Sequence, residues 1–335
     1  MEVVLRPHVA NFIRWSADKP EVVVLTADLT NSCEVGQWSQ TYPDRFFSMK
    51  MAEQNMMGFA AGMAREGLEP WIHTFAVFIY RRPYDQLAMS IAYPNLPVRL
   101  VGFLPGITTP GGVTHQAIED LALMRATPNM TVLETGDATE VESVLDVAHR
   151  VDGPVYIRML RGEVPRLFPA DEPMALDRVR ILSEGDDVTV FTSGITTEEA
   201  MRATAPLARA GVEITHVHVS THKPFTDPLI LSSIRRARHG VVTLENHSVV
   251  GGLGSAVAEV MAEHGVGTRL VRLGLRDTYA HGASRGYLMA HYGLDAAALV
   301  RGIEDLLGRP TGISDTALET ARVEAVHSLA KAEAL

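Results

Sequence analysis

Three short stretches of the chain hold residues suited to chemistry. Met51-Ala-Glu-Gln-Asn-Met-Met-Gly-Phe-Ala-Ala-Gly-Met-Ala64 opens with the acid Glu53 and continues with small residues at Gly58, Ala60, Ala61, Gly62 and Ala64. Such small residues let a helix pack closely against another backbone. A carboxylate in its first turn is favoured by the helix N-terminus. Glu53 thus has two readings here: a first-turn acid that complements the helix dipole, or a functional carboxyl. Thr74-Phe-Ala-Val-Phe78 puts Phe75 and Phe78 three residues apart, on one helical face. They are either core or an aromatic slot for a flat heterocycle. Gly111-Gly-Val-Thr-His115 is a turn that presents an imidazole, and histidine moves protons near neutral pH. A lone loop histidine is also often structural or merely exposed.

The elements that must position these residues follow from the apolar pattern. Residues 22–26, 46–49, 71–75, 98–103, 131–134 and 155–159 form mostly unbroken apolar runs, the pattern of strands buried on both faces of a parallel sheet. Asp137 with Glu140 forms a capping-box pattern ahead of a predicted helix over 141–150. Alternating strands and helices imply a doubly wound α/β domain, whose functional groups gather beyond the carboxyl ends of the strands. Glu53 stands at such an end. A Pro- and charge-rich stretch over 163–177 reads as a linker. A second α/β set follows, with strands near 188–192, 212–219, 241–244 and 270–273 and helices near 198–210, 255–263 and 296–307. The expected organisation is two doubly wound α/β domains, 1–165 and 179–309, joined by a linker at 166–178 and followed by a tail helix within 310–335.

Composition narrows the functional classes. The chain has 335 residues, a formal net charge of −10 and one cysteine, Cys33. The negative balance argues against a general nucleic-acid binder, which needs a basic face to release counterions. One cysteine excludes an internal disulfide and any multi-cysteine zinc site. No basic segment followed by an apolar stretch opens the chain, and no apolar run approaches the roughly 18 residues of a membrane span. A soluble, cytoplasmic protein is expected. His216 and His218 alternate onto one face with His222 nearby, a pattern with a metal reading but with no visible supporting residues.

Taken together, Ala-Glu-Gln-Asn-Met at 52–56, Thr-Phe-Ala-Val-Phe at 74–78 and Thr-His-Gln-Ala-Ile-Glu-Asp at 114–120 resemble the pyrimidine-binding domain of transketolases. The resemblance continues through Gly153-Pro-Val-Tyr-Ile-Arg158, Thr221-His-Lys-Pro224 and Glu245-Asn-His-Ser-Val-Val-Gly-Gly-Leu-Gly254, to about residue 307. It implies thiamine diphosphate as cofactor and transfer of a two-carbon ketol unit from a ketose to an aldehyde acceptor. Glu53 matches the glutamate that hydrogen-bonds the aminopyrimidine ring and activates the cofactor. Phe75 and Phe78 match its aromatic wall, and Asp28 a family loop near it. His115 matches the substrate-site histidine, and Arg161 an arginine that binds substrate phosphate. Arg158 is a second candidate for that role, with a structural ion pair as its alternative. Arg6 and Thr26 are expected to line the donor site, and His73, which stands where a small residue is expected beside the aromatic wall, is a further substrate-binding candidate.

Two departures bear on substrate. The resemblance places an aspartate four residues before the loop histidine, where this chain has Gly111, and a histidine twelve residues before it, where it has Phe103. Both point away from ordinary pentose phosphates. The Gly-Asp-Gly stretch with a later Asn that grips the diphosphate through Mg²⁺ is not found. The resemblance therefore implies a partner, an N-terminal subunit carrying the diphosphate-binding domain and most of the Mg²⁺ contacts, in a heterotetramer of two copies of each chain. The competing readings are a beta-type subunit of a 2-oxo acid dehydrogenase, which shares the Ala-Glu-Gln helix start, and a catalytically idle interaction subunit.

Overall fold

Apolar runs with no polar face must be covered on both sides, and in the computed structural model, which describes residues 2–321, they are. In chain order the strands are β1 (Val3–Leu5), β2 (Val22–Thr26), β3 (Phe46–Ser48), β4 (Glu69–Phe75), β5 (Arg99–Phe103), β6 (Thr131–Glu134) and β7 (Val155–Met159). They continue as β8 (Glu163–Pro165), β9 (Val179–Ser183), β10 (Val188–Thr192), β11 (Ile214–Val219), β12 (Thr221–Lys223), β13 (Gly240–Ser248) and β14 (Leu270–Leu275). Every residue of β2, β4, β5, β6 and β7 is buried. These strands form the middle of a seven-stranded sheet of order β12-β6-β7-β5-β4-β2-β3, parallel except at β12. A five-stranded sheet of order β14-β13-β10-β11-β9 forms the second domain, parallel except at β9. One apolar cluster covers the first sheet, and two more fill the two faces of the second. The architecture is thus α/β with two doubly wound units.

The capping pattern at Asp137 works as its chemistry requires. The Asp137 side chain accepts the Glu140 N–H at the start of the helix Ala138–His149, and a Glu140 oxygen accepts the Gly136 N–H at 2.8 Å. The helix Glu53–Arg65 follows β3 and buries Met56, Met57, Ala60, Ala61 and Ala64. Gly58 and Gly62 lie on its other side, where an added Cβ would meet nothing within 4 Å. Only part of the small-residue run therefore serves packing within this chain.

Three elements bear on the expected division of the chain. Residues 163–165, the end of the expected first domain and the start of the Pro- and charge-rich stretch, form β8, which pairs antiparallel with β1. Strand β12, from within the second domain's stretch, adds to the edge of the first sheet beside β6. The tail helix appears as Asp315–Thr320, with Leu318 buried in the second domain's core; the expected continuation to 334 lies outside the described residues. No helix among the described residues is long and apolar enough to cross a membrane.

Candidate active site

Glu53 is the first residue of its helix, just beyond the carboxyl end of β3. No side chain caps that helix start. The Glu53 carboxylate is 3% exposed and accepts a 2.6 Å hydrogen bond from Nη1 of Arg82. The Arg82 guanidinium lies 4.6 Å from the centre of the Phe78 ring. Phe75 ends β4, and Phe78 lies on the short helix Ala76–Tyr80; their centroids are 6.0 Å apart with planes inclined by 21°. The His115 ring stands edge-on to both, at 6.2 Å from Phe75 and 5.5 Å from Phe78, with Nδ1 2.8 Å from the Thr114 hydroxyl. An open cavity of ≈280 Å³ has Glu53, Phe78, Asp28, His115 and Arg82 among its walls. Asp28 reaches it from a left-handed turn (φ 64°) after β2, with Lys50 3.6 Å away.

Sequence reasoning gave no role to Arg81 and Arg82. Arg81 turns away from the slot and clamps the loop that carries His115. Its Nη1 donates to the Val113 carbonyl (2.7 Å), its Nη2 to the Gln116 carbonyl (3.1 Å), and Nε and Nη2 to the Glu119 carboxylate (2.8 and 3.0 Å). The only signal in the sequence was a pair of arginines directly after the aromatic run.

Arg161 and Arg6 meet at a second cavity, of ≈90 Å³, whose walls include Glu34, Glu163 and Asn31. The Arg161 guanidinium lies 5.7 Å from the centre of the Phe75 ring, so this cavity adjoins the aromatic slot. Its Nη1 donates to the Ser32 carbonyl at 3.0 Å. Burial pushes the Glu34 carboxyl up to about 7, against the opposing pull of the Gly162 N–H, Arg161 and Arg6.

Three expected substrate contacts fall elsewhere. Arg158 is fully enclosed, with Nε on Asp120 (2.8 Å), Nη1 on Glu134 (2.5 Å) and Nη2 on the Asn246 carbonyl (3.0 Å). It is the structural ion-pair partner, since a cation in a strand covered on both faces must be paired. His73 is enclosed too: its Nε2 lies 3.1 Å from Nε2 of His8, and Phe12 and Phe103 pack on its ring. Burial lowers it to about 3, so it is a neutral core histidine. Thr26, paired with it across β2 and β4, is 0% exposed and lines neither cavity. Phe103 is buried in the same aromatic group.

The histidines with a metal reading bond to protein groups instead. His216 Nε2 is 2.8 Å from the Thr192 hydroxyl; His218 bridges Thr197 (2.7 Å) and Glu140 (3.0 Å); His222 meets Glu134 at 2.9 Å. Among the described residues, the group of three that could hold a metal is Glu21, Glu69 and His149, at the opposite end of the strands, where Glu69 already pairs with Arg99 and His149.

Comparison with known proteins identifies both domains. The family model "Transketolase, pyrimidine binding domain" matches residues 10–166, and "Transketolase, C-terminal domain" matches residues 177–299. An uncharacterized transketolase family protein of Sinorhizobium fredii is 39% identical over 294 residues, covering 87% of this chain and 85% of that protein. The 6-deoxy-6-sulfo-D-fructose transketolase subunit SqwH of Clostridium sp. is 38% identical, covering 89% and 92%. A solved structure described as a split gene transketolase, an inactive beta4 tetramer, superposes with a TM-score of 0.81 at 38% identity, covering 90% of this chain and 97% of that one. The 1-deoxy-D-xylulose-5-phosphate synthases that match are about twice as long, with 47% of the Symbiobacterium thermophilum enzyme covered. A buried first-turn carboxyl beside two stacked phenylalanines and a loop histidine, on two domains matched in this order, places the chain in the transketolase family.

Proposed function

We propose that this chain is the C-terminal subunit of a two-chain transketolase that uses thiamine diphosphate and transfers a two-carbon ketol unit from a ketose donor to an aldehyde acceptor. The observation that carries this reading is what the aromatic slot already holds. The Arg82 guanidinium is flat, bears N–H donors, lies over Phe78 and donates to Glu53. An aminopyrimidine ring has the same flat face, an exocyclic amino donor and ring nitrogens that can share a proton with a carboxyl, so the residues present fit that half of the cofactor. When bound, thiamine diphosphate supplies the centre that stabilises carbanion chemistry.

The chain's own residues have distinct tasks. Glu53 would share a proton with a ring nitrogen at its buried carboxyl, donating to the neutral aminopyrimidine and accepting from the N–H of its imino tautomer, in place of the hydrogen bond that Arg82 now fills. Phe75 and Phe78 stack on the ring and exclude water, for roughly 1 kcal/mol each beyond area burial. Asp28 borders the same cavity. His115 moves or holds a proton on a substrate oxygen beside the slot. Arg161 and Arg6 hold the far end of the donor.

The slot's donors suit a heterocycle and not a metal–diphosphate pair, so the Mg²⁺ and diphosphate contacts are assigned to a partner subunit with the diphosphate-binding domain. Met51 (76% exposed) borders the slot, and Phe59 (43% exposed) and the open side of Gly58 and Gly62 lie further along the helix that Glu53 opens, an apolar surface of the kind a partner would cover. Relatives named as transketolase subunits, in Clostridium sp. and in Actinobacillus succinogenes (31% identical), support a two-chain enzyme. Two copies of each chain in the cytoplasm complete the reading.

The test is turnover of the co-purified pair with a donor and acceptor panel. Glu53→Gln should lower turnover by about 10²-fold or more while the thermal unfolding of the pair stays unchanged. The isolated chain should be inactive. Wild-type turnover by the variant, or robust turnover by the lone chain, would refute the assignment.

A further inference from the structure

Two adjacent arginines are held very differently. Arg81 donates to the Val113 and Gln116 carbonyls and to both oxygens of Glu119, which fixes it in place. Among the described residues, the Arg82 side chain has one hydrogen bond, from Nη1 to Glu53 at 2.6 Å, and one ring contact, 4.6 Å from the centre of Phe78. That side chain is 51% exposed, whereas that of Glu53 is 3% exposed. A half-exposed cation therefore covers a carboxyl that is otherwise enclosed. A side chain so exposed changes rotamer without moving the core.

Arg82 borders two open cavities. The one of ≈280 Å³ that reaches Asp28 and His115 has Met51, Glu53 and Arg82 among its walls. The other, of ≈480 Å³, has the same three residues in its walls, together with Ala52, Gln54 and Asn55. The guanidinium thus stands where the two meet, at the carboxyl of Glu53 and against the ring of Phe78. Turning it outward frees both groups at once. Its two contacts oppose that turn. A charge-assisted hydrogen bond and a cation–π contact together favour the closed form by about tenfold or more. A ligand that needs the open form then binds with its affinity reduced by the open fraction.

We propose that Arg82 is a built-in plug of the slot: its guanidinium takes the place of the cofactor's aminopyrimidine ring on Phe78 and Glu53, and must turn out toward solvent before that ring can enter. The chain on its own keeps the slot closed, and entry of the ring is coupled to release of Arg82. The inference rests on the proposed reading of the slot for its ligand, and on the geometry of Arg82, Glu53 and Phe78 for the closure.

The test is a titration of 4-amino-2-methylpyrimidine into the full-length chain, followed by ligand-detected NMR. This probe carries the ring without the diphosphate, so no partner subunit has to grip it. Arg82→Met should bind it about tenfold or more tightly than wild type. Adding Phe78→Ala to Arg82→Met should remove that gain, since the stacking surface is then lost. Arg82→Lys keeps the charge without the flat face, and should gain about threefold. It also decides the matter should Arg82→Met fail to fold. Affinity in the folded variants no greater than in wild type overturns the proposal, and so does a gain that survives loss of the Phe78 ring. The cofactor reading is judged apart from this: turnover by the wild-type assembled enzyme that needs no thiamine diphosphate would strike it, whatever the pyrimidine titration shows.

Discussion

Arg81 and Arg82 are neighbours in the chain and divide the site between them. Arg82 fills the slot against Glu53 and Phe78, while Arg81 spends its fork on two loop carbonyls and Glu119. His115 sits between those two carbonyls in sequence, so its ring position depends on Arg81. Arg81→Ala should lower turnover of the assembled enzyme by about 10²-fold, the scale of an ångström-sized misplacement. Arg81→Lys should recover only part, because one ammonium cannot make the planar fork. A merely structural role would instead show as a fall in thermal stability with turnover preserved among the folded molecules. At this scale the sequence was informative where side-chain type is tied to chemistry. Glu53, Phe78, Asp28 and His115 line one cavity, with Phe75 against its wall. It left the choice open where a polar residue lay in an apolar run. Arg158 lies between Ile157 and Met159 in a strand buried along its length, a setting that forces ion pairing rather than substrate contact.

The elements most legible from sequence were those defined by periodicity and capping. The central strands and the helices opened by Asp137 and Asp295 carry their own local signals, and each aspartate accepts a backbone N–H of its helix. Strands β1, β8 and β12 have three residues each, too few to show a period, and their pairing is set by partners far away in the chain. What joins these elements is also non-local. Arg158 in β7 ties Asp120 at the start of the helix Asp120–Ala126 to Glu134 in β6 and to the β13 backbone at Asn246. Removing the cation leaves two carboxylates buried without it. Arg158→Met should therefore cost about 3 kcal/mol or more, read as a lower denaturant midpoint. A variant with the wild-type midpoint would show that the network adds nothing net.

At the scale of the whole molecule, the interior holds titratable groups displaced in opposite directions, and their sum sets a pH for greatest stability. Burial lowers His73 and His216 to about 3 and His247 to about 4, and lowers His8 and His222 as well. Their ordinary value is 6.5. Below that pH the unfolded chain binds protons that the folded chain refuses, so stability falls as the solution is acidified from 6.5 toward 3. Glu134, held down to about 2 by Arg158 and His222 against its burial, adds to the loss once pH drops below its ordinary 4.5. Glu34 and Glu245 act the other way. Burial raises them to about 7 and about 8, so the folded chain keeps protons that the unfolded chain has released, and stability declines as pH rises from 4.5 through those values. Between 4.5 and 6.5 five histidines oppose two carboxyls, and the histidines prevail. Above 6.5 the histidines no longer differ between the two states, and the carboxyls alone set the slope until about 8. The urea midpoint of the chain should therefore climb from pH 4.5, peak near 6.5 and fall gently to pH 8. A midpoint that kept rising from 6.5 to 8 would mean that Glu34 and Glu245 are ionised in the folded protein, and that the acid beside Arg161 carries its full charge at neutral pH.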